Sequence, residues 1–340
     1  MSRFRNSVYL LTCLVLVCGL GQNASEAAQA VTDKEAKRLQ KAVMNILDIG
    51  VRPQLTEEEK AATEGFSLRF PMPKAGDHYL NFYARSAPGK PSKIVMPVQS
   101  LKMVEDLTTA YAWLYEAKKS LSTIDLYFAM LEAKNAAVTR SGGIVPILEA
   151  LGIPKNALKN PKVDKLSLSL RNEAFAFILL HELGHVRFAH KGYDDITTEQ
   201  ARADEQQSDQ FALEVMARTE TPPLGAVLFF QAQAYAMPHR GGFDSTAAWE
   251  RYQHKLATHP VSTDRIRGMA RQVKDVLSLL RSKETAIWRF IGTQLEGIAD
   301  TLDDDTLQKC IRVVARKADR EVLLPRDGIA GDVIRQACGG

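Results

Sequence analysis

Residues 173–191 read EAFAFILLHELGHVRFAHK, and the chain's character is decided there. The stretch reads as one helix, with Gly192 as its stop. His181 and His185 are four apart, about 40° around a helix axis, so both imidazoles project from one face. Two neutral imidazoles at that spacing can bind one Zn²⁺ through nitrogen. Glu182 stands next to the first and can act as the base for an activated water, the layout of a zinc hydrolase. The preceding FAFILL, residues 175–180, is apolar on every side, which predicts a buried helix. Two histidines and a glutamate in such a helix would be costly without partners.

A catalytic zinc site needs a third protein ligand from another element. The predicted helix 197–218 contains Glu205-Gln206-Gln207-Ser208-Asp209, whose two acids are four apart and share a face. Glu205 is the expected third ligand, with Asp204 as its rival. Asp209 is expected to accept a hydrogen bond from the free ring nitrogen of a ligand histidine, fixing the tautomer. His190 lies nine residues after His181, about 180° round the helix, and is expected to be a surface or packing histidine. Gly184 is a poor helix residue, and its expected use is close approach by a neighbouring backbone or a substrate.

The pattern H-E-x-x-H followed by E-x-x-x-D resembles the gluzincin metallopeptidases. The local text is most similar to the HtpX and CAAX-prenyl-protease group: HELGHVRFAH, then EQQSDQFA, then HPVSTDRI at 259–266. The Lit-type phage-exclusion peptidases are a second resemblance. Both cover roughly residues 174–266. They imply a zincin-like domain, one Zn²⁺ held by His181, His185 and Glu205, and Glu182 as catalytic base. His259 then reads as a catalytic donor to the oxyanion or a removable plug over the metal, or simply as part of a helix-entry turn. Arg265 reads as an ion pair that supports the site beside Asp209, or as a transition-state contact.

The rest of the chain sets the context. Hydrophobic residues make up 45% and charged residues 25% of 340, enough for a substantial core. A formal net charge of +4, evenly spread, argues against a nucleic-acid partner. Residues 1–30 read as a secretory signal peptide. Arg3 and Arg5 precede the apolar run 8–20, and small residues follow with Ser25-x-Ala27 and Ala28-x-Ala30. No later stretch is long and apolar enough to span a bilayer, so the expected location is periplasmic or secreted. Cys310 and Cys338 then remain, either free or as one disulfide pinning the C-terminal tail.

Short β-like runs fall at 66–70, 79–83 and 93–98. Helices are expected at 32–47, 100–119, 123–140, 146–151, 173–191, 197–218, 223–236, 245–257, 262–282, 285–301 and 306–317. The fold class is therefore α+β, mainly α: a zincin-like domain over 31–284 with a small N-terminal sheet, and a helical C-terminal extension over 285–340. The function expected is a zinc-dependent endopeptidase acting on exported or envelope proteins, with strand 93–98 aligning an extended substrate. The alternative is an inactive metal-containing helical module for binding or chaperoning. A protein or peptide substrate is the expected partner, and homo-oligomerisation is left open.

Overall fold

Thr32 and Glu35 close a capping box around the first helix, α1 (Asp33–Asn45), which buries Ala36, Leu39 and Val43 on one stripe. A second capping box, Thr56 with Glu59, starts the short α2 (Glu57–Ala62). In the computed structural model, the residues described are 31–73, 79–87, 90–140, 143–192, 196–236, 245–255, 262–282, 285–328 and 332–338. The predicted signal peptide and His259 lie outside them.

Three strands follow: β1 (Ser67–Arg69), β2 (Tyr83–Ala87) and β3 (Lys90–Val95). Their order is β1-β3-β2, with β3 parallel to β1 and antiparallel to β2. The expectation that strand 93–98 would align a substrate fails on this topology. β3 is paired on both sides, and Val98 already begins the next helix. The two strands at the sheet's edges are β1 and β2.

The helices are α3 (Val98–Glu116), α4 (Ser122–Glu132), α5 (Ile147–Ala150), α6 (Pro161–Arg187), α7 (Thr198–Arg218) and α8 (Leu224–Ala236). They continue with α9 (Thr246–Lys255), α10 (Thr263–Asp275), α11 (Ala286–Asp303), α12 (Asp305–Lys317) and α13 (Val333–Cys338). A two-residue-per-strand hairpin, β4 (Thr139–Arg140) and β5 (Gly143–Ile144), lies between α4 and α5. The fold is α+β and mainly α, as the sequence predicts.

The 27-residue α6 runs through the middle of the molecule. It starts well before the expected position 173. Asn160 caps it by accepting from the Lys162 N–H at 3.0 Å, and Pro161 occupies the first turn, where no amide hydrogen is required. Every residue from Ala174 to Val186 is buried, against α3, α7 and α8. α8 can lie close because Gly225 has no side chain: a Cβ there would fall 2.1 Å from the Leu170 carbonyl oxygen. Glu173 accepts from the Gly225 N–H at 3.1 Å, tying the start of α8 to α6.

α11 packs on α10 and α8, and α12 and α13 pack on α4. One apolar cluster therefore runs from Val31 to Ile334. Cys310 and Cys338 form a disulfide that fastens α13 to α12. Among the described residues no helix is long and apolar enough to cross a membrane.

Candidate metal centre

Two helices meet closely enough to share an ion because Gly184 faces Ser208. A Cβ at 184 would lie 2.9 Å from the Ser208 Cα, so only glycine lets α6 and α7 approach this far. The expectation of a close backbone approach at Gly184 is met here by α7. His181 and His185 project from α6 toward Glu205 of α7, and all three are buried. The His181 Nε2 lies 3.1 Å from the His185 Nε2 and 3.5 Å from the Glu205 Oε2; the His185 Nε2 lies 3.4 Å from Oε1 of the same carboxylate. Ligands about 2.0–2.2 Å from a tetrahedral zinc stand roughly 3.3–3.6 Å apart, so the three residues fit that ion. This is the group of His, Cys, Asp and Glu, among the described residues, whose ligand atoms gather within 4.8 Å of one another.

The direction of each imidazole proton can be read from its neighbours. His181 Nδ1 donates to Asp209 Oδ1 at 2.8 Å. Burial alone would raise the Asp209 carboxyl, but Arg265 and His181 outweigh it and hold the group below the usual aspartate range. Burial pushes His181 down against the pull of Asp209, which keeps the ring neutral. With Nδ1 protonated, the His181 Nε2 lone pair faces the centre.

His185 reaches the same state through His190. The expectation of a packing histidine on the far side of the helix fails, because α6 ends at Arg187 rather than Gly192. Ala189 adopts φ 52°, and the His190 N–H bonds the His185 carbonyl while the Ala189 N–H bonds that of Val186. These are the two bonds of a Schellman turn, here without its usual glycine. The turn brings the His190 Nδ1 to 2.9 Å from the His185 Nδ1. The His190 Nε2 lies 3.0 Å from the Gln207 Oε1 and 3.5 Å from the Asp204 Oδ1, both acceptors. Nε2 must therefore carry the His190 proton. Its Nδ1 then accepts from His185, whose Nε2 lone pair also faces inward. Two inward lone pairs 3.1 Å apart, beside a carboxylate, repel one another until a cation sits among them.

Asp204, the rival third ligand, stands beside His190 and is held by Gln200 at 2.6 Å. Arg265 comes from α10, capped by Ser262. Its Nε and Nη2 donate to the two Asp209 oxygens at 2.7 and 2.8 Å, and its Nη1 reaches Glu205 Oε2 at 2.5 Å. The guanidinium lies over the Phe230 ring, 5.2 Å from its centroid. It thus spans the Glu205 and Asp209 carboxylates of α7 and is engaged by them.

Two hollows flank the centre. One of about 350 Å³ is lined by Tyr83, Arg85 and Ser86 of edge strand β2, with His185, His190 and Asp204 also on its walls. The other, of about 40 Å³, lies on the Glu182 side. His190, Gln207 and the β2 edge are the parts that sequence reasoning missed.

Fold and site together define a mainly helical protein with a buried His-His-Glu group able to hold a metal ion. Residues 153–289, which include α6, α7, α8 and α10 with this whole group, match the Peptidase U49 family model, so the similarity is to a family of peptidases. No curated protein and no solved structure matches the chain.

Proposed function

We propose that the protein is a zinc-dependent endopeptidase of the gluzincin type, with a local sequence that resembles the HtpX and CAAX-prenyl-protease group and, as a second resemblance, the Lit-type peptidases. The observation that carries the reading is the convergence of His181, His185 and Glu205, with separate relays through Asp209 and His190 turning both imidazole lone pairs inward. The match of residues 153–289 to a peptidase family supports the same conclusion.

When bound, zinc would acidify a water and polarise the scissile carbonyl. Glu182, buried beside His181, takes the proton of the attacking water and hands it to the leaving amine. Asp209 and Arg265 keep the His181 ring and the Glu205 carboxylate oriented through the reaction. The edge of β2 offers backbone N–H and C=O groups to an extended peptide lying in the larger cleft. Residues 1–30 direct the chain out of the cytoplasm, so the substrates are exported or envelope proteins.

Casein cleavage and metal analysis test the proposal together. Wild type should carry one zinc per chain and cut casein, and a chelator should stop it. Glu205→Ala should lose both metal and activity. Glu182→Gln should keep its metal and lose activity by at least about a hundredfold. A Glu182→Gln variant as active as wild type removes the general base, and wild type without zinc removes the metal.

A further inference from the structure

One polar group next to Glu182 has no part in the reaction as described. On α8, Phe229 and Gln233 are four residues apart and share a face. Both line the small hollow beside Glu182, together with Phe82, Phe177 and Ile178. Gln233 is 5% exposed, yet its carboxamide has no hydrogen-bond partner among the described residues. Its half-buried neighbour on the same helix is engaged: Gln231 donates to Asp125 at 2.7 Å. A nearly buried carboxamide with no protein partner is unfavourable, and α8 is otherwise apolar enough to hold leucine or methionine there.

A peptide main chain presents one N–H and one C=O per residue, the complement of a carboxamide. We propose that Gln233 is a substrate-binding residue whose carboxamide hydrogen-bonds the peptide main chain beside the bond that is cut. The hollow next to it takes the side chain of the same substrate residue. The proposal rests on the zinc-peptidase reading and adds a substrate class to it. About 40 Å³ accommodates roughly three waters, so the side chain is aliphatic rather than aromatic. Leu80, Phe82, Phe177, Ile178 and Phe229 make half of its lining, which favours an apolar side chain between them.

The test compares wild type with Gln233→Leu and Gln233→Met, read by casein cleavage kinetics, cut sites by mass spectrometry, zinc content, and Tm of the metal-free chain. Wild type should cut with Val, Leu or Met enriched on one side of the bond. Both variants should keep full zinc, melt at or above the wild-type temperature, and lose roughly ten- to hundredfold in kcat/KM, mainly through KM. A structural amide would behave in the opposite way, so a variant that fails to fold or melts several degrees lower overturns the proposal. So does a variant that cuts at the wild-type rate with the wild-type sites. Wild type that holds zinc and cuts nothing overturns the peptidase reading, and this inference with it.

Discussion

Asp209 and Asp125 are both buried on helices, and they end in opposite states. Asp209 of α7 accepts from the Arg265 guanidinium and from His181, and stays ionised well inside the molecule. Asp125 of α4 has the Gln231 amide at 2.7 Å, and burial pushes its carboxyl up to about 8. Burial acts in the same direction on both; the partners decide. Around the candidate metal centre Asp209 and Glu205 both meet the Arg265 guanidinium, which keeps negative charge available for an ion. Between α4 and α8 the carboxyl takes up a proton instead, and the packing there stays neutral.

Removing the partner charge from the first region should cost most. Asp209→Asn leaves Arg265 facing Glu205 alone and should destabilise the protein by about 3–5 kcal/mol in urea denaturation. A loss no larger than that of a surface substitution would erase the contrast. Next comes the relay that the Schellman turn builds. His190→Ala should weaken zinc binding by roughly 10–100-fold in chelator competition, with little change in metal-free stability. Unchanged affinity would mean that the turn orients nothing.

The last effect lies in the second region, has the opposite sign and shows only at high pH. Asp125 holds its proton more tightly folded than unfolded, so its contribution to stability falls as pH rises from 3.8 toward about 8, then levels off. Asp125→Asn should therefore stabilise clearly near pH 9 and by almost nothing near pH 4, as read by Tm across pH. A gain that does not vary with pH would show that Asp125 is not the proton binder.

The His-His-Glu group was legible because helical spacing alone aligns His181 with His185 and Glu205 with Asp209. The apolar FAFILL run signalled that these groups had to be paired. The first half of α6 was hidden, since PKVDKLSLSLRN is too polar to show a buried stripe, although Asn160-Pro161 carried the start signal. α4 was read eight residues too long. Lys134 turns left-handed at φ 53°, and the Asn135 amide then bonds the Ala315 and Ala318 carbonyls, contacts that no local pattern announces. His190 was misplaced for a similar reason: Ala189 takes a conformation usually left to glycine, and Gly192 drew the reading past it. The strand ending at Ala87 lay beyond the aromatic run at 79–83 that signalled it, and edge position depends on pairing order, which periodicity does not encode.

The missing methyl at Gly184 sets a bore. Two of the candidate ligands belong to one rod and the third to its neighbour, so the gap between rods fixes how wide a cation the three could grip at once. An alanine at 184 would wedge the rods apart by tenths of an ångström, moving the Glu205 oxygens away from both nitrogens together. The aperture would then favour larger, oxygen-seeking ions over zinc, so the choice of element is written partly in an atom the chain leaves out.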